Sequence, residues 1–340
     1  MHTLHNHIIN WSSSLMCLQP SLVYYQNKIK KLCTMKAPTI LKNFLLRQAP
    51  AAVAPLPEKT RFDRELSAEL DTLGGEIKLA QLLDAAIKTQ KIVLDSLVKI
   101  SYRDDFDRGD VDKYLEDNVE ILDVCNYFVE KIENINYYVD ALKIVVHLVD
   151  NSFSPKPNKV ATKRALEYLN SSSCQSVAKK SSKGLKNLLR QRLCHHGTDI
   201  SEILCGSKAM TLMCLRFLEL GLSFDSKSRN LPVMKPFQPT SSSWLRLLQE
   251  LTRETEASVD EKKLQKKSSC MSELQQTVDA ARELKEQMKR EKEMKCCVER
   301  LKKRCKELQD VVEAIEERVK ELYKCLIDVR MTLLGILSHH

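Results

Sequence analysis

From Val298 to Ile336 the apolar positions step alternately by three and four residues: Val298, Leu301, Cys305, Leu308, Val312, Ile315, Val319, Leu322, Leu326, Val329, Leu333 and Ile336. This heptad spacing fits an α-helix with one continuous apolar seam and fits no strand, where inward residues alternate by two. With Val298 at the a position, one flank of the seam reads Cys297, Arg304, Val311, Arg318, Cys325 and the other Lys302, Gln309, Glu316, Tyr323. An open two-stranded zipper usually keeps both flanks charged. A stripe widened on one side suits a helix covered by several neighbours. The pattern therefore favours packing within the chain, on a long helix upstream, over homodimerisation through this segment.

Such a helix is legible upstream. Val111, Leu115, Val119, Leu122, Cys125, Val129, Ile132, Ile135, Val139, Leu142, Val146 and Val149 recur at threes and fours. A helix over 111–149 reaches nearly 60 Å at about 1.5 Å per residue, and Asn134–Asn136 is its weakest point. Before it, helical order begins near Phe62, and Ile77, Leu79, Leu82, Leu83, Ala86, Ile87, Val93, Leu94, Leu97 and Val98 make a further one-faced helix. The acidic turn with Asp104, Asp105, Asp107, Gly109 and Asp110 ends that helix and offers N-cap carboxylates to the next. Eight glycines and ten prolines in 340 residues leave long stretches without a helix breaker. The expected fold is all-α, an elongated helical bundle with long antiparallel helices and a C-terminal heptad-patterned helix.

Composition divides the chain further. Residues 1–57 read as a disordered tail or targeting segment with a linker, 58–150 as a first helical block, and 151–229 as a basic helical block. Residues 230–243 form a Pro/Ser linker, and 244–340 hold C-terminal helices that pack back on the first block. Ser242 or Ser243 is placed to cap the helix that follows, with Trp244, Leu245, Leu247, Leu248 and Leu251.

The net charge of +9 is unevenly spread. The first 57 residues hold no acidic residue, against Lys28, Lys30, Lys31, Lys36, Lys42 and Arg47. Basic, hydroxylated and acid-free is how a plastid or mitochondrial presequence reads, a disordered tail being the other reading. The second excess is Lys159, Lys163, Arg164, Lys179, Lys180, Lys183, Lys186, Arg190 and Arg192, against Glu167 alone. Leu185, Leu188, Leu189 and Leu193 share a helical face there, which leaves Lys179, Lys180, Lys183, Lys186, Arg190 and Arg192 as candidate contacts to anionic lipid or a protein partner. The competing reading is the solvated face of a core helix. Ile203–Phe224 is the most apolar run, interrupted by Lys208, Arg216 and Glu219; it reads as a buried core helix or as a membrane segment whose cations snorkel. The expected location is cytoplasmic with membrane association, or the plastid if the N-terminal segment is a presequence.

Enzyme chemistry finds no foothold. Twelve cysteines at irregular spacing, two of them the adjacent Cys296 and Cys297, suit small core residues in a reducing compartment better than a disulfide framework. Cys194, His195, His196, Cys205 and Cys214 lack paired zinc spacing. Asp105, Asp107 and Glu116 imitate calcium-loop positions, but Asp110 stands where the turn needs glycine. His147 sits on an apolar stripe and reads as a core histidine. Asp123, Cys125 and Asn126 cannot converge, because residues two apart on a helix face different ways. No phosphate loop, nucleophile elbow or zincin motif occurs. No cofactor and no small-molecule substrate is expected, and 6% aromatic residues argue against base stacking on nucleic acid.

The stretch Tyr114-Leu115-Glu116-Asp117-Asn118-Val119-Glu120-Ile121-Leu122-Asp123-Val124-Cys125-Asn126 resembles the signature of the plant BYPASS family. Phe62-Asp63, the acidic turn at Asp104–Asp110 and the ending Val329-Arg330-Met331-Thr332-Leu333-Leu334-Gly335-Ile336-Leu337 extend the likeness over nearly all of Phe62 to Leu337. The resemblance implies a role in root and shoot development, restraining a mobile root-derived signal that arrests shoot growth. It implies no catalytic or ligand-binding set, so it points to a non-enzymatic regulator or adaptor acting through a protein partner. The alternative from the residues is a peripheral membrane or trafficking-associated adaptor that binds anionic lipid or a helical partner.

Overall fold

In the computed structural model the chain is described at residues 60–74, 78–100, 108–150, 159–171, 183–191, 193, 198–222, 231–232, 242–260, 269–290 and 294–339. Among these residues there are nine helices and no strand: α1 (Arg61–Asp71), α2 (Leu79–Ile100), α3 (Arg108–Asp150), α4 (Lys159–Ser171), α5 (Lys183–Arg190), α6 (Asp199–Gly221), α7 (Ser243–Asp260), α8 (Ser269–Lys289) and α9 (Lys295–His339). The fold class is all-α.

The two long patterns become the two longest helices, of 43 residues in α3 and 45 in α9. At about 1.5 Å per residue each is roughly 65 Å long. All twelve seam residues from Val298 to Ile336 are buried. They lie against α3 and α2, and the first turns of α9 also pair with α8. Residues on the flanks of the seam are occupied too: Arg318 Nε is 2.8 Å from Asp84 Oδ1, and Arg304 Nη1 is 2.6 Å from Glu307 Oε2. α3 runs through Asn134–Asn136 without a break. There Asn134 Nδ2 donates to the carbonyl of Glu130 at 2.8 Å, a bond inside the helix that leaves its backbone ladder intact.

Four helices form the bundle. α6 and α9 each pack on both α2 and α3, which places α2 and α3 on one diagonal and α6 and α9 on the other. Side-chain bonds fix the directions. Gln90 of α2 meets Ser207 and Thr211 of α6, while Leu79 lies beside Gly221, so those two run antiparallel. Tyr114, Asp117 and Lys131 of α3 meet Ser207, Lys208 and Glu219 of α6 in the same order, so those two run parallel. Leu115 and Asn118 of α3 meet Arg330 and Leu326 of α9 in reverse order, an antiparallel pair. In chain order the bundle is up, down, down, up. The smaller helices cover its sides: α4 and α5 on α3, α7 on α1.

The Ile203–Phe224 run forms the core helix α6 as far as Gly221, and Phe224 lies outside the described residues. Every residue from Ile200 to Arg216 is buried, because α2, α3, α5 and α7 surround it. No described helix is long and apolar enough to cross a membrane. His147 is a correction. It is exposed on the outer side of α3, between buried Val146 and half-buried Leu148, rather than in the core.

Candidate functional site

The densest polar chemistry lies where α3 enters the bundle, on Tyr114–Asn126. Ser207 Oγ donates its one proton to Gln90 Oε1 at 2.7 Å, so the Tyr114 hydroxyl, 2.7 Å from the same oxygen, is the donor to Ser207. Gln90 Nε2 donates to Thr211 Oγ1 at 3.0 Å, and Thr211 passes its own proton to the Ser207 carbonyl at 2.8 Å. One turn along, Lys208 Nζ sits 2.5 Å from Asp117 Oδ2 and 2.8 Å from Gln191 Oε1. On the opposite side of α3, Asn118 Nδ2 donates to the Leu326 carbonyl at 3.4 Å and Arg330 Nη1 to the Leu115 carbonyl at 2.6 Å. Four of the five residues 114–118 thus tie α3 to α6 and α9, and through Ser207 to α2. Apolar packing alone tolerates sliding of one helix past another. These directional bonds allow one register.

A second knot closes the neighbouring end. Thr60 caps α1, its hydroxyl accepting from the Asp63 N–H at 3.0 Å. Asp63 is buried and accepts from the backbone N–H groups of Ser243 at 2.7 Å and Trp244 at 3.1 Å. The expected capping serine of α7 is therefore displaced from that role by a carboxylate on α1, which meets the positive end of the α7 dipole. Ser242 turns instead to Glu202 Oε1 at 2.6 Å, and Glu202 also accepts from Thr60 Oγ1 at 3.0 Å and Trp244 Nε1 at 3.3 Å. Phe62 meets Trp244 edge-on, with ring centroids 6.5 Å apart. The Phe62 ring also lies over Gly206 of α6, where an added Cβ would stand 2.7 Å from Phe62 Cζ. Glycine is required there by close approach of two helices.

Farther along α6, Glu219 accepts from Lys131 at 3.1 Å, and the ammonium stands 5.6 Å from the Tyr127 ring centroid. Burial lowers the pKa of Lys131, while the Glu219 carboxylate opposes that shift. Burial also pushes the Tyr114 phenol and the Cys125 thiol up to about 12, which keeps both protonated at neutral pH. A protonated, enclosed thiol is a poor nucleophile. The chemistry this arrangement performs is cohesion: it cross-links four helices and fixes their register.

Residues singled out from the sequence fall elsewhere. Lys183 and Arg190 are exposed and Lys186 is half-buried on α5, while Lys179, Lys180 and Arg192 lie outside the described residues. Leu185, Leu188 and Leu189 are buried in the core cluster, where α5 packs on α3 and α6, so the apolar face of this basic helix is already covered. Cys205 and Cys214 are buried in α6, whereas Cys194, His195 and His196 lie outside the described residues. Of the calcium-like positions, Asp105 and Asp107 also lie outside, and Glu116 is an exposed helical residue of α3. Among the described residues no three His, Cys, Asp or Glu side chains gather where a metal ion could be held. Gln90, Ser207 and Glu202 carried no sequence signal, being single polar residues in otherwise apolar helices.

Fold and junctions together define an all-α bundle protein whose most concentrated polar residues serve helix-to-helix registration. A family model described as Protein BPS1 matches residues 79–336. The chain belongs to this family of plant developmental regulators, the one that the Tyr114–Asn126 stretch resembles. No curated protein and no solved structure matches the chain.

Proposed function

We propose that the protein is a non-enzymatic helical regulator of root and shoot development that limits a root-derived, mobile growth-arrest signal, acting as an adaptor for a protein partner. The observation that carries this reading is the family match over 79–336 taken with the use made of the signature. Its polar side chains at Tyr114, Asp117 and Asn118 are turned into the bundle and bonded to neighbouring helices. Such a motif preserves a shape and leaves the outer surface to do the recognising. Plants lacking the protein, in a line without redundant copies, are expected to show root-dependent arrest of shoot growth, relieved when a wild-type root is grafted. Normal shoots on mutant roots would overturn the reading.

A second reading places the protein at an anionic membrane surface in the cytoplasm, through Lys179, Lys180, Lys183, Lys186, Arg190 and Arg192. The exposure of Lys183 and Arg190 supports it. Since Leu185, Leu188 and Leu189 are buried, the attraction would be electrostatic without insertion, and sedimentation with phosphatidylserine vesicles should vanish at high salt. Binding that survives high salt, or that survives Lys183→Gln/Lys186→Gln/Arg190→Gln, would count against it. Import into plastids through residues 1–57 is the alternative location, tested by fusing those residues to a fluorescent reporter.

A further inference from the structure

The heptad seam of α9 is used up inside the chain, and the face behind it changes character along the helix. With Val298 at a, the b and f positions point away from the seam. From residue 299 to 324 all eight of them are charged and exposed, beginning with Glu299 and Lys303 and ending with Lys320 and Lys324. The next three are Ile327, Met331 and Leu334. Met331 is 61% exposed and Leu334 39%. A helix covered on one side only keeps its far side polar, so an outer face that turns apolar over its last turns is suited to being covered.

Neighbouring helices extend the patch. Asp84 and Lys91 of α2 meet Arg318 and Glu321 of α9, and one heptad past Lys91 the same line brings exposed Val98 beside this end of α9. On the other flank, Val119 is exposed one turn past Leu115, whose carbonyl receives Arg330. Gly335, at the adjoining c position, is an independent sign. Gly206 is held to glycine by the Phe62 ring, whereas a Cβ at Gly335 would meet nothing within 4 Å. Glycine inside a helix is less favourable than alanine, and nothing in the chain's own packing requires it at 335. Bare backbone at the edge of an apolar patch admits another helix at close range.

We infer that this face, Ile327, Met331, Leu334 and Gly335 with Val98 and Val119, pairs the protein with a second copy of itself across a two-fold axis. The patch is self-complementary. Met331 protrudes one turn before the gap at Gly335, so two α9 helices crossing antiparallel set each Met331 over the other copy's Gly335, a knob and a hole supplied by the same surface. The rim carries both signs, with Lys324 and Asp328 exposed on α9, Lys99 on α2 and Glu116 on α3. An anionic membrane finds no cationic ring there, while a mixed rim meets its own copy without net repulsion. Few large side chains take part, against the roughly 2,000 Å² or more that a permanent dimer buries, so the pair forms reversibly. This pairing goes beyond the developmental reading and does not depend on it.

The test is sedimentation velocity of the full-length protein from about 1 to 100 µM. The weight-average mass is expected to rise from one chain and level at two. Met331→Glu returns a charge to the outer face and should weaken pairing at least tenfold. Gly335→Ala should weaken it by about tenfold while the melting temperature holds or rises, because alanine favours the helix and has room in the single chain. Glu317→Gln, on the charged stretch of the same face, should leave pairing unchanged. Far-UV circular dichroism at the lowest concentration checks that each variant stays folded. A single-chain mass at the highest concentration, growth past two chains without a plateau, or pairing indifferent to Met331→Glu or to Gly335→Ala overturns the inference. Such a failure leaves the grafting experiment untouched.

Discussion

Lys208→Met isolates what the signature junction contributes. Both side chains of the pair are nearly enclosed, Lys208 at 7% and Asp117 at 11% exposure. Methionine keeps the stem's apolar packing and deletes the ammonium that reaches Asp117 and Gln191. The Asp117 carboxylate is then left buried without its cation, a situation that costs about 3–5 kcal/mol. Against a total stability of about 5–15 kcal/mol the variant should fold but unfold early. With a urea m-value of about 3 kcal/mol/M, its midpoint should fall by about 1 M or more. Replacing both partners, Asp117→Ala with Lys208→Met, removes the stranded charge and should return stability to within about 1–2 kcal/mol of wild type. The assay is equilibrium urea unfolding of the four proteins followed by far-UV circular dichroism. Two single variants within about 1 kcal/mol of wild type would show that water reaches the pair, and the argument for a closed junction would fail.

Three further outcomes follow from the packing. Gly206→Ala pushes a methyl into the Phe62 ring and should cost about 1–3 kcal/mol; adding Phe62→Leu should recover part of that loss in thermal melts, and a neutral Gly206→Ala would mean the α1–α6 contact is loose. The Cys125 and Cys305 thiols are raised by burial from 9.0 to about 12, so the native state keeps protons that the unfolded chain releases. Their contribution is whole below pH 9 and is lost as pH climbs toward 12, roughly 5 kcal/mol by about pH 11 at about 1.4 kcal/mol per unit for each thiol; urea midpoints should drop across that window in wild type and much less in Cys125→Ala/Cys305→Ala, and equal slopes would refute the assignment. A chain ending at residue 290 lacks α9 and uncovers α2 and α3, each large aliphatic side chain so exposed costing about 1.5–3 kcal/mol. It should aggregate or lose its cooperative melt, whereas a folded monomer in sedimentation would argue against α9 as a wall of the core.

The α9 seam was readable because one side of a helix faces a steady set of neighbours, so burial follows a single heptad line from Val298 to Ile336. α3 was readable as a helix but not in its facing. α9, α6, α4 and α5 all pack on it, and the buried side turns along its length. Val119, placed on the stripe by spacing, is exposed, while Tyr114, Asn118, Phe128 and Lys131 are buried off it. The polar junctions were not legible for a different reason. Lys208 and Glu219 looked like interruptions of an apolar run, and their partners Asp117 and Lys131 looked like ordinary surface charges of α3. Only the tertiary arrangement sets them opposite each other. The cap of α7 escaped because Asp63 lies 180 residues upstream of Ser243, beyond any local rule. The acid-free N-terminal segment and Lys179, Lys180 and Arg192 fall outside the described residues.

The diagonal placement of α2 and α3 bears on how the chain comes to be folded in the cell. Helices that follow each other in sequence usually bury each other, so a nascent chain can settle as it is made. Here α2 and α3 wait for α6 to fill one side and for α9 to fill the other, and α9 is the last of the described helices. At a synthesis rate of about 5–20 residues per second, the apolar faces of α2 and α3 stand open for about 10–40 s before His339 is added. During that interval the open apolar faces would make the nascent chain prone to aggregate and a fitting client for chaperones. Its abundance would then depend on the supply of chaperones as well as on its transcript.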